Sequence, residues 1–465
     1  MIPPSRDRRV RLRRLVAALM GLLVIVAAGF YLWEHHRGAN ISNPNVAFET
    51  APVVPPVGAP PPRADRTFEW PIYGFTPART RYFPLDRPAR PPFLPRWAVH
   101  GSNLLEFSPV AGGGSVYILK NNGALYAVKR ATGYVFWKLK LGDLAASSPA
   151  YRQGRLFATL LQGQGTAGGR VVAIGVKYAN VLWSRPLPSR SESSPLVVGT
   201  TVYFGSENGT VYALDTKDGS IRWTAKVGGA VKAGLAYDRG KLFFGDYSGH
   251  MHAYDARSGR KLWSVGTSGR TFGLGSGGFY ATPSVAFGRI YAGNTDGNVY
   301  SFSERGGALA WRTGTGSYVY SSAAVASISG IGPTVYVGSY DARVYAIDAQ
   351  NGRVRWSRPA EGRISGGLQL VGDLLFYSTL NSHTTALGAV TGRHVWSVPR
   401  GKYNPVISDG RFLFLNGSTS LFAYDLRHGA PYPGLAHERQ LEAKLTSKRR
   451  ARGRLEAVHK VRPGH

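Results

Sequence analysis

Short runs of alternating apolar and polar residues, broken by turn-forming pairs, recur along most of the chain. From Val202 to Trp223 the pattern reads VYFGS, a tight turn at ENG, VYALD, a second turn at TKDG, then IRW. A period of two marks strands with one buried face, and the polar breaks mark hairpins. Gly209 and Gly219 are placed to supply the positive φ that such turns require. Asp215 can bond the backbone of the loop that follows it. The same pattern returns in LFFGDYSGHMHAYDARSGRKLW, ending at Trp263, and in VYVGSYDARVYAIDAQNGRVRW, ending at Trp356.

Eight of the ten tryptophans share this context: Trp97, Trp137, Trp183, Trp223, Trp263, Trp311, Trp356 and Trp396, spaced by 40, 46, 40, 40, 48, 45 and 40 residues. A repeat of about 40–45 residues with four strands per unit predicts β-propeller blades. The remaining strand of each unit precedes the hairpin and opens on small residues: FSPV, SSPA, SSPLV, AGLAY, TPSVA, SAAVA, GGLQL and NPVIS. Small side chains suit innermost strands crowded around an axis. From hub to rim a blade therefore reads small-residue strand, VYFG strand, YALD strand, Trp strand. Seven units are complete; an eighth, ending at Leu426, lacks its Trp strand, while PRWAV around Trp97 is a Trp strand without a blade. Joining them predicts an all-β, eight-bladed propeller with no open edge. The eight tryptophans are expected to be structural, each packed on the neighbouring blade.

Ahead of the repeats, Leu15–Trp33 runs nineteen residues without a charge. As a helix it spans about 28 Å, against a hydrocarbon layer of ~30 Å. Six arginines and one aspartate lie in residues 1–14, which orients the N-terminus to the cytoplasm and the rest beyond the membrane. A cleaved signal peptide is the competing reading, but the apolar run is long for one and FYLWEHHRGA is bulky where small residues are wanted. The expected organisation is a basic cytoplasmic segment 1–14, a single-pass signal anchor 15–33 and a Pro-rich extracytoplasmic tether 34–66, followed by a propeller 67–430 and a basic disordered tail 431–465.

Composition narrows the chemistry. No cysteine is present, which excludes disulfides, thiolate metal sites and a cysteine nucleophile. The net charge is +31; setting aside +5 in residues 1–14 and +6 in residues 437–465 leaves +20 on the remainder. Such a field attracts polyanions. Outside the membrane these are anionic lipid or envelope polymer rather than nucleic acid, and the cluster KRRARGR at 448–454 reads the same way.

The pattern VYxGSxxGxVYALDxxxGxxxW resembles the pyrroloquinoline-quinone (PQQ)-type propeller repeat over about Trp70 to Leu426. WPIYGFTPARTRYFPL (70–85) followed by PRWAV is similar to the lead-in of quinoprotein alcohol dehydrogenases. WD-type repeats fit less well, because Trp-Asp is absent from the blade ends. The repeat is shared by the dehydrogenases and by a non-enzymatic lipoprotein of outer-membrane protein assembly, and the chain looks closer to the latter. Its source is expected to be bacterial. For a dehydrogenase the resemblance implies a quinone over the hub, a Ca²⁺ held by carboxylate and amide groups, an aspartate base, a tryptophan floor and often a capping cysteine pair. Here the cysteines are missing and the ring tryptophans are committed to rim strands.

The residues just ahead of each hub strand should ring one mouth of the channel. Glu106, Glu192, Lys232, Tyr280, Tyr320, Lys402 and Tyr403 are the candidates for a small-ligand or peptide pocket there. They form a mixed ring without the convergent oxygen ligands a hard cation wants. No catalytic, cofactor-binding or metal-binding residue is assigned. NTDGNVYSF (294–302) lacks the glutamate of a calcium loop and fills a β-turn slot. GLGSGG (273–278) precedes no helix and reads as a rim loop. His250 and His252 read as an exposed pair on one strand face, without a third ligand. The expected function is a membrane-anchored, non-catalytic scaffold that docks a protein or an anionic envelope polymer, with 161–170 and 266–280 as its contact loops and no cofactor. The alternative is a divergent dehydrogenase oxidising alcohols or sugars with PQQ and calcium.

Overall fold

The computed structural model describes residues 15–27, 29, 40–50, 68–85, 88–163, 168–267 and 277–426. Eight antiparallel blades stand around one axis. Their hub strands are Val110–Gly112, Ala150–Arg152, Leu196–Val198, Ala236–Asp238, Ser284–Ala286, Ala324–Ile328, Gln369–Val371 and Val406–Ser408, numbered here as blades 1 to 8. Blade 8 takes its outermost strand, Leu94–Val99, from the start of the repeats; Trp97 pairs with Ala423 across from Ser420–Asp425. The ring is closed by chain ends that lie more than 300 residues apart in sequence.

At the rim, seven indole N–H groups reach the neighbouring blade. Those of Trp97, Trp137, Trp183, Trp223, Trp263, Trp311 and Trp356 donate to the carbonyls of Arg130, Val176, Thr216, Ala256, Glu304, Ala349 and Ala389, at 2.9–3.2 Å. Trp396 meets Tyr424 of blade 8 edge-on, ring centroids 5.4 Å apart. The glycine of the facing turn is required twice over. Gly219 has φ +72°, and a Cβ there would lie 2.6 Å from the Trp183 ring. Any larger residue would be strained and would lift the tryptophan off its seat.

At the hub, small polar residues just ahead of the strands tie blade to blade. Ser194 Oγ accepts from the Ser148 amide, Thr282 Oγ1 from Gly234, Ser322 Oγ from Thr282 and Asn404 Oδ1 from Gly367. Ser193 Oγ donates to the Ala233 carbonyl.

The axis itself is filled by the lead-in, residues 70–83, which winds once around it. Trp70 exchanges backbone hydrogen bonds with Ala111 of blade 1. The carbonyls of Pro71, Pro77, Ala78, Thr80 and Arg81 accept from Tyr151, Tyr237, Val285, Val325 and Leu370 of blades 2, 4, 5, 6 and 7. Arg79 donates to the Ser194 carbonyl of blade 3, and the Tyr73 hydroxyl donates to Asn404 of blade 8. Phe75, Arg79 and Arg81 adopt positive φ to make this tight winding. The buried Arg79 and Arg81 side chains occupy the slots left where blades 4 and 7 carry glycine. A Cβ on Gly234 would come within 3.4 Å of Arg79 Nη2, and one on Gly367 within 2.7 Å of Arg81 Nη1.

One N-terminal expectation changes. Residues 34–66 were expected to be a tether, yet Asn40–Glu49 is bound to the propeller. Ile41–Ser42 adds a fifth strand to the outer edge of blade 5, opposite Arg312 and Trp311. Arg289 holds the Val46 and Ala47 carbonyls, and Phe48 packs on Phe287. Val46 and Phe48, two residues apart, supply the apolar contact, while Ile41 stays exposed. Of the expected span 15–33, residues 15–27 and 29 are helical and exposed, whereas residue 28 and residues 30–33 lie outside the described residues. No helix among the described residues is long and apolar enough to cross a membrane. Residues 1–14 and 431–465 also lie outside the described residues.

Because the strap over blade 5 leaves Trp311 fully buried, Trp311→Ala should lower the unfolding free energy by about 3–5 kcal/mol, and half-exposed Trp137→Ala by less. Denaturant titration of the two variants measures the difference. Gly367→Ala should cost about 1–3 kcal/mol by overpacking against Arg81. Adding Arg81→Ala to it should recover part of that loss, a coupling that a double-mutant cycle reads.

Candidate functional site

One end of the channel opens into a small cavity of about 60 Å³. Its walls come from the segments ahead of the hub strands, because these are the loops that turn each rim strand back to the axis. Glu106, Phe107, Glu192, Lys232, Tyr280, Tyr320, Ser365, Tyr403 and Asn404 line it, and Tyr73 projects into it from the lead-in. Six of the seven residues proposed from sequence are thus brought together. Lys402 is not among the lining residues; its Nζ lies 5.8 Å from the centre of the Tyr403 ring. Tyr73 and Asn404 escaped sequence reasoning. The only signal was that the aromatic lead-in has no blade of its own.

Charge in the cavity is partly paired. Lys232 Nζ lies 2.8 Å from Glu192 Oε1 and 3.1 Å from Glu207 Oε1, and Tyr280 Oη is 3.4 Å from Glu192 Oε2. Burial raises Glu192 above the ordinary glutamate range, with Lys232 opposing and Glu207 adding to the rise. Burial pulls Lys232 down, but its two carboxylate partners outweigh that and hold it above the usual lysine range. Glu106 accepts a hydrogen bond from Asn121 Nδ2 at 3.0 Å. Burial, reinforced by Glu192 and Glu106, raises Tyr280. Burial raises Tyr403 as well, with Glu106 adding to it. These phenols stay neutral at physiological pH and present donors and ring faces.

Around the mouth the aromatic rings continue outward. Tyr280 meets Tyr247 and Tyr320 edge-on at 6.2 and 5.5 Å, and Tyr320 meets Tyr340 and Tyr318 at 4.9 and 6.0 Å. Tyr318 is 52% exposed. Both contact loops proposed from sequence reach this face. The insertion at 266–280 ends in Tyr280, and Gly169 of the other backs onto Ser189 and Arg190, just ahead of Glu192. Residues 164–167 and 268–276 of these loops lie outside the described residues.

His252 is buried, not exposed as expected. Its Nε2 donates to Asp246 Oδ2 at 3.1 Å. Asp246 also accepts from the amides of Gly229, Ser248 and His250 and from Ser248 Oγ. It thereby pins the loop that carries Lys232. No group of three or more histidine, aspartate or glutamate side chains among the described residues could hold a metal ion.

A family profile described as "Outer membrane protein assembly factor BamB" matches residues 95–231 and 207–432. A stretch of 69 residues is 39% identical to the quinoprotein alcohol dehydrogenase PedH of Pseudomonas putida, covering 13% of this chain and 11% of that enzyme. Among solved structures, BamB from Moraxella catarrhalis aligns with TM-score 0.59 and 17% identity over 72% of this chain and 99% of that one. The quinohemoprotein alcohol dehydrogenase ADHIIG from Pseudomonas putida HK5 aligns with TM-score 0.66 and 15% identity over 80% and 83%. At such identities the structural likeness shows the propeller alone. The cavity residues do not fit a calcium-bound quinone. Glu192 is engaged by Lys232, Glu106 stands apart as the other lining carboxylate, and among the described residues no aspartate lines the cavity.

Burial opposes ionisation of Asp246, but hydrogen bonds from His252, Ser248 and the His250 amide prevail and hold its carboxyl at about 2, below the ordinary 3.8. On acidification the unfolded chain therefore takes up this proton first. The stabilisation is complete above about pH 4 and is lost as the pH falls through 2, some ~2 kcal/mol in all. Asp246→Asn should flatten that part of the acid-denaturation profile, measured by denaturant titration between about pH 5 and 2.5.

Proposed function

The chain belongs to the family described as outer membrane protein assembly factor BamB, and from that membership we propose that it is a non-catalytic docking propeller of the bacterial envelope. The observation that supports this reading best is the filled axis. The chain's own lead-in hydrogen-bonds around the hub, leaving a shallow mouth whose Lys232 is already held by two carboxylates. The mouth face is the contact surface: it carries both insertions and the tyrosines that run from Tyr247 to Tyr340. Tyrosine-rich, partly exposed patches with satisfied polar groups are the composition of protein-binding surfaces. The partner is a protein, as in outer-membrane protein assembly. We also read the apolar run Leu15–Trp33 as the anchor that holds the propeller at the membrane with its N-terminus in the cytoplasm; its hydropathy and its arginine-rich flank support this.

The second reading, a quinoprotein dehydrogenase acting on alcohols or sugars, is favoured by the 69-residue likeness to PedH. Adding the quinone and Ca²⁺ to the full chain and following dye-linked alcohol oxidation separates the two. The docking reading expects no turnover, and sustained turnover would overturn it.

A photo-crosslinking residue at Tyr318 or Tyr340 should capture one discrete protein in intact cells, whereas the same residue at Lys177 on the rim should not. Adducts from the rim position alone would place the contact elsewhere.

A further inference from the structure

We propose that the mouth cavity is a receptor site for one organic cation, an alkylammonium or guanidinium group. Other tyrosines of this face already act as platforms for the chain's own cations. Lys232 Nζ lies 5.5 Å from the Tyr247 ring centre, Arg363 Cζ 5.9 Å from that of Tyr340, and Lys402 Nζ 5.8 Å from that of Tyr403. The inner rings, Tyr280 and Tyr320, meet edge-on at 5.5 Å and line the cavity, and among the described residues no cation stacks on either. Beside them stands Glu106, whose carboxylate accepts from Asn121 and is paired with no cation among the described residues. Glu192 and Glu207 share the single Lys232. Among the charged residues that line the cavity, Glu106 and Glu192 stand against Lys232, with the buried Arg81 guanidinium behind the Tyr73 ring at 3.8 Å, so Glu106 is the carboxylate left open to a ligand.

A cation entering this space meets the Glu106 carboxylate beside the Tyr280 and Tyr320 rings. Ring quadrupoles attract cations most strongly when desolvated, and the cavity is walled by neutral phenols. A small anion would meet Glu106 and Glu192 on entry. A hard metal ion would lack converging oxygen ligands. The group that fits is soft, weakly hydrated and carried on an apolar stem, as in a lysine or arginine side chain or a polyamine. The site stands whether or not the face docks a protein, and the titration below reads the cavity alone.

The test is calorimetric titration of the full chain at low salt with three probes: spermidine, a blocked Gly-Lys-Gly peptide, and neutral cellobiose. At least one cationic probe should bind with Kd of about 1 mM or tighter, and cellobiose should not bind. Spermidine binding alone would identify a free polyamine as the source, and peptide binding a protein side chain; either supports the site. Glu106→Gln, which keeps the Asn121 bond, should weaken binding about tenfold. Tyr280→Phe should bind as the parent does and Tyr280→Leu more weakly, with melting temperatures confirming that each variant is folded. Failure of both cations to bind, binding unchanged by Glu106→Gln, or a preference for cellobiose would each overturn the proposal.

Discussion

Eight sheets that converge on one axis each bring an unpaired inner edge to the most crowded part of the molecule. The middle residue of a hub strand points its amide at the axis, where water is scarce and an unsatisfied donor is costly. Residues 70–83 resolve this for six blades with main-chain hydrogen bonds, and they reach the other two through side-chain donors, Arg79 to the Ser194 carbonyl and the Tyr73 hydroxyl to Asn404. Much else follows from that winding. It brings two guanidinium groups under the hub, removes side chains from Gly234 and Gly367, and places Tyr73 where it lines the mouth. Arg79 spends its donors on the carbonyls of Tyr73, Ser194 and Leu235. Burial and the adjacent Arg81 cation pull it below the ordinary arginine range.

The rim solves the complementary problem. Seven of the eight tryptophans satisfy one carbonyl of the next blade, so neighbouring blades are locked by a single residue type at a fixed register. Blade 5 alone among the described blades has its outermost strand covered by an added strand, Ile41–Ser42. Trp311, Arg289 and Thr313 beneath or beside it are all but inaccessible.

The parts of this architecture legible in the sequence were those that repeat. The tryptophan spacing, the alternating strands and the orphan PRWAV strand are local patterns, and counting them produced eight blades and the closing pair. The offset from each hub strand likewise placed Glu106, Glu192, Lys232, Tyr280, Tyr320 and Tyr403 at one mouth. Parts that occur once were not legible. AGLAY and GGLQL read only as small-residue strand starts, although Gly367 makes room for Arg81 and Gly234 lies against Arg79, both from far away in sequence. His252 reads as exposed by strand alternation with His250, yet the Asp246 turn draws it inward. The strap was hidden because only Val46 and Phe48 turn inward, too short an apolar signal to stand out in a Pro-rich stretch.

The winding segment also fixes an order of events. It precedes every blade in the chain and meets them in nearly the sequence in which they are made, from Trp70 with blade 1 to Arg81 with blade 7. A ribosome therefore delivers the spindle before the sheets that need it, so each new inner edge emerges to find its mate already waiting. Only the last rim ribbon, Leu94–Val99, must wait for the final strand, Ser420–Asp425, before it has anything to join.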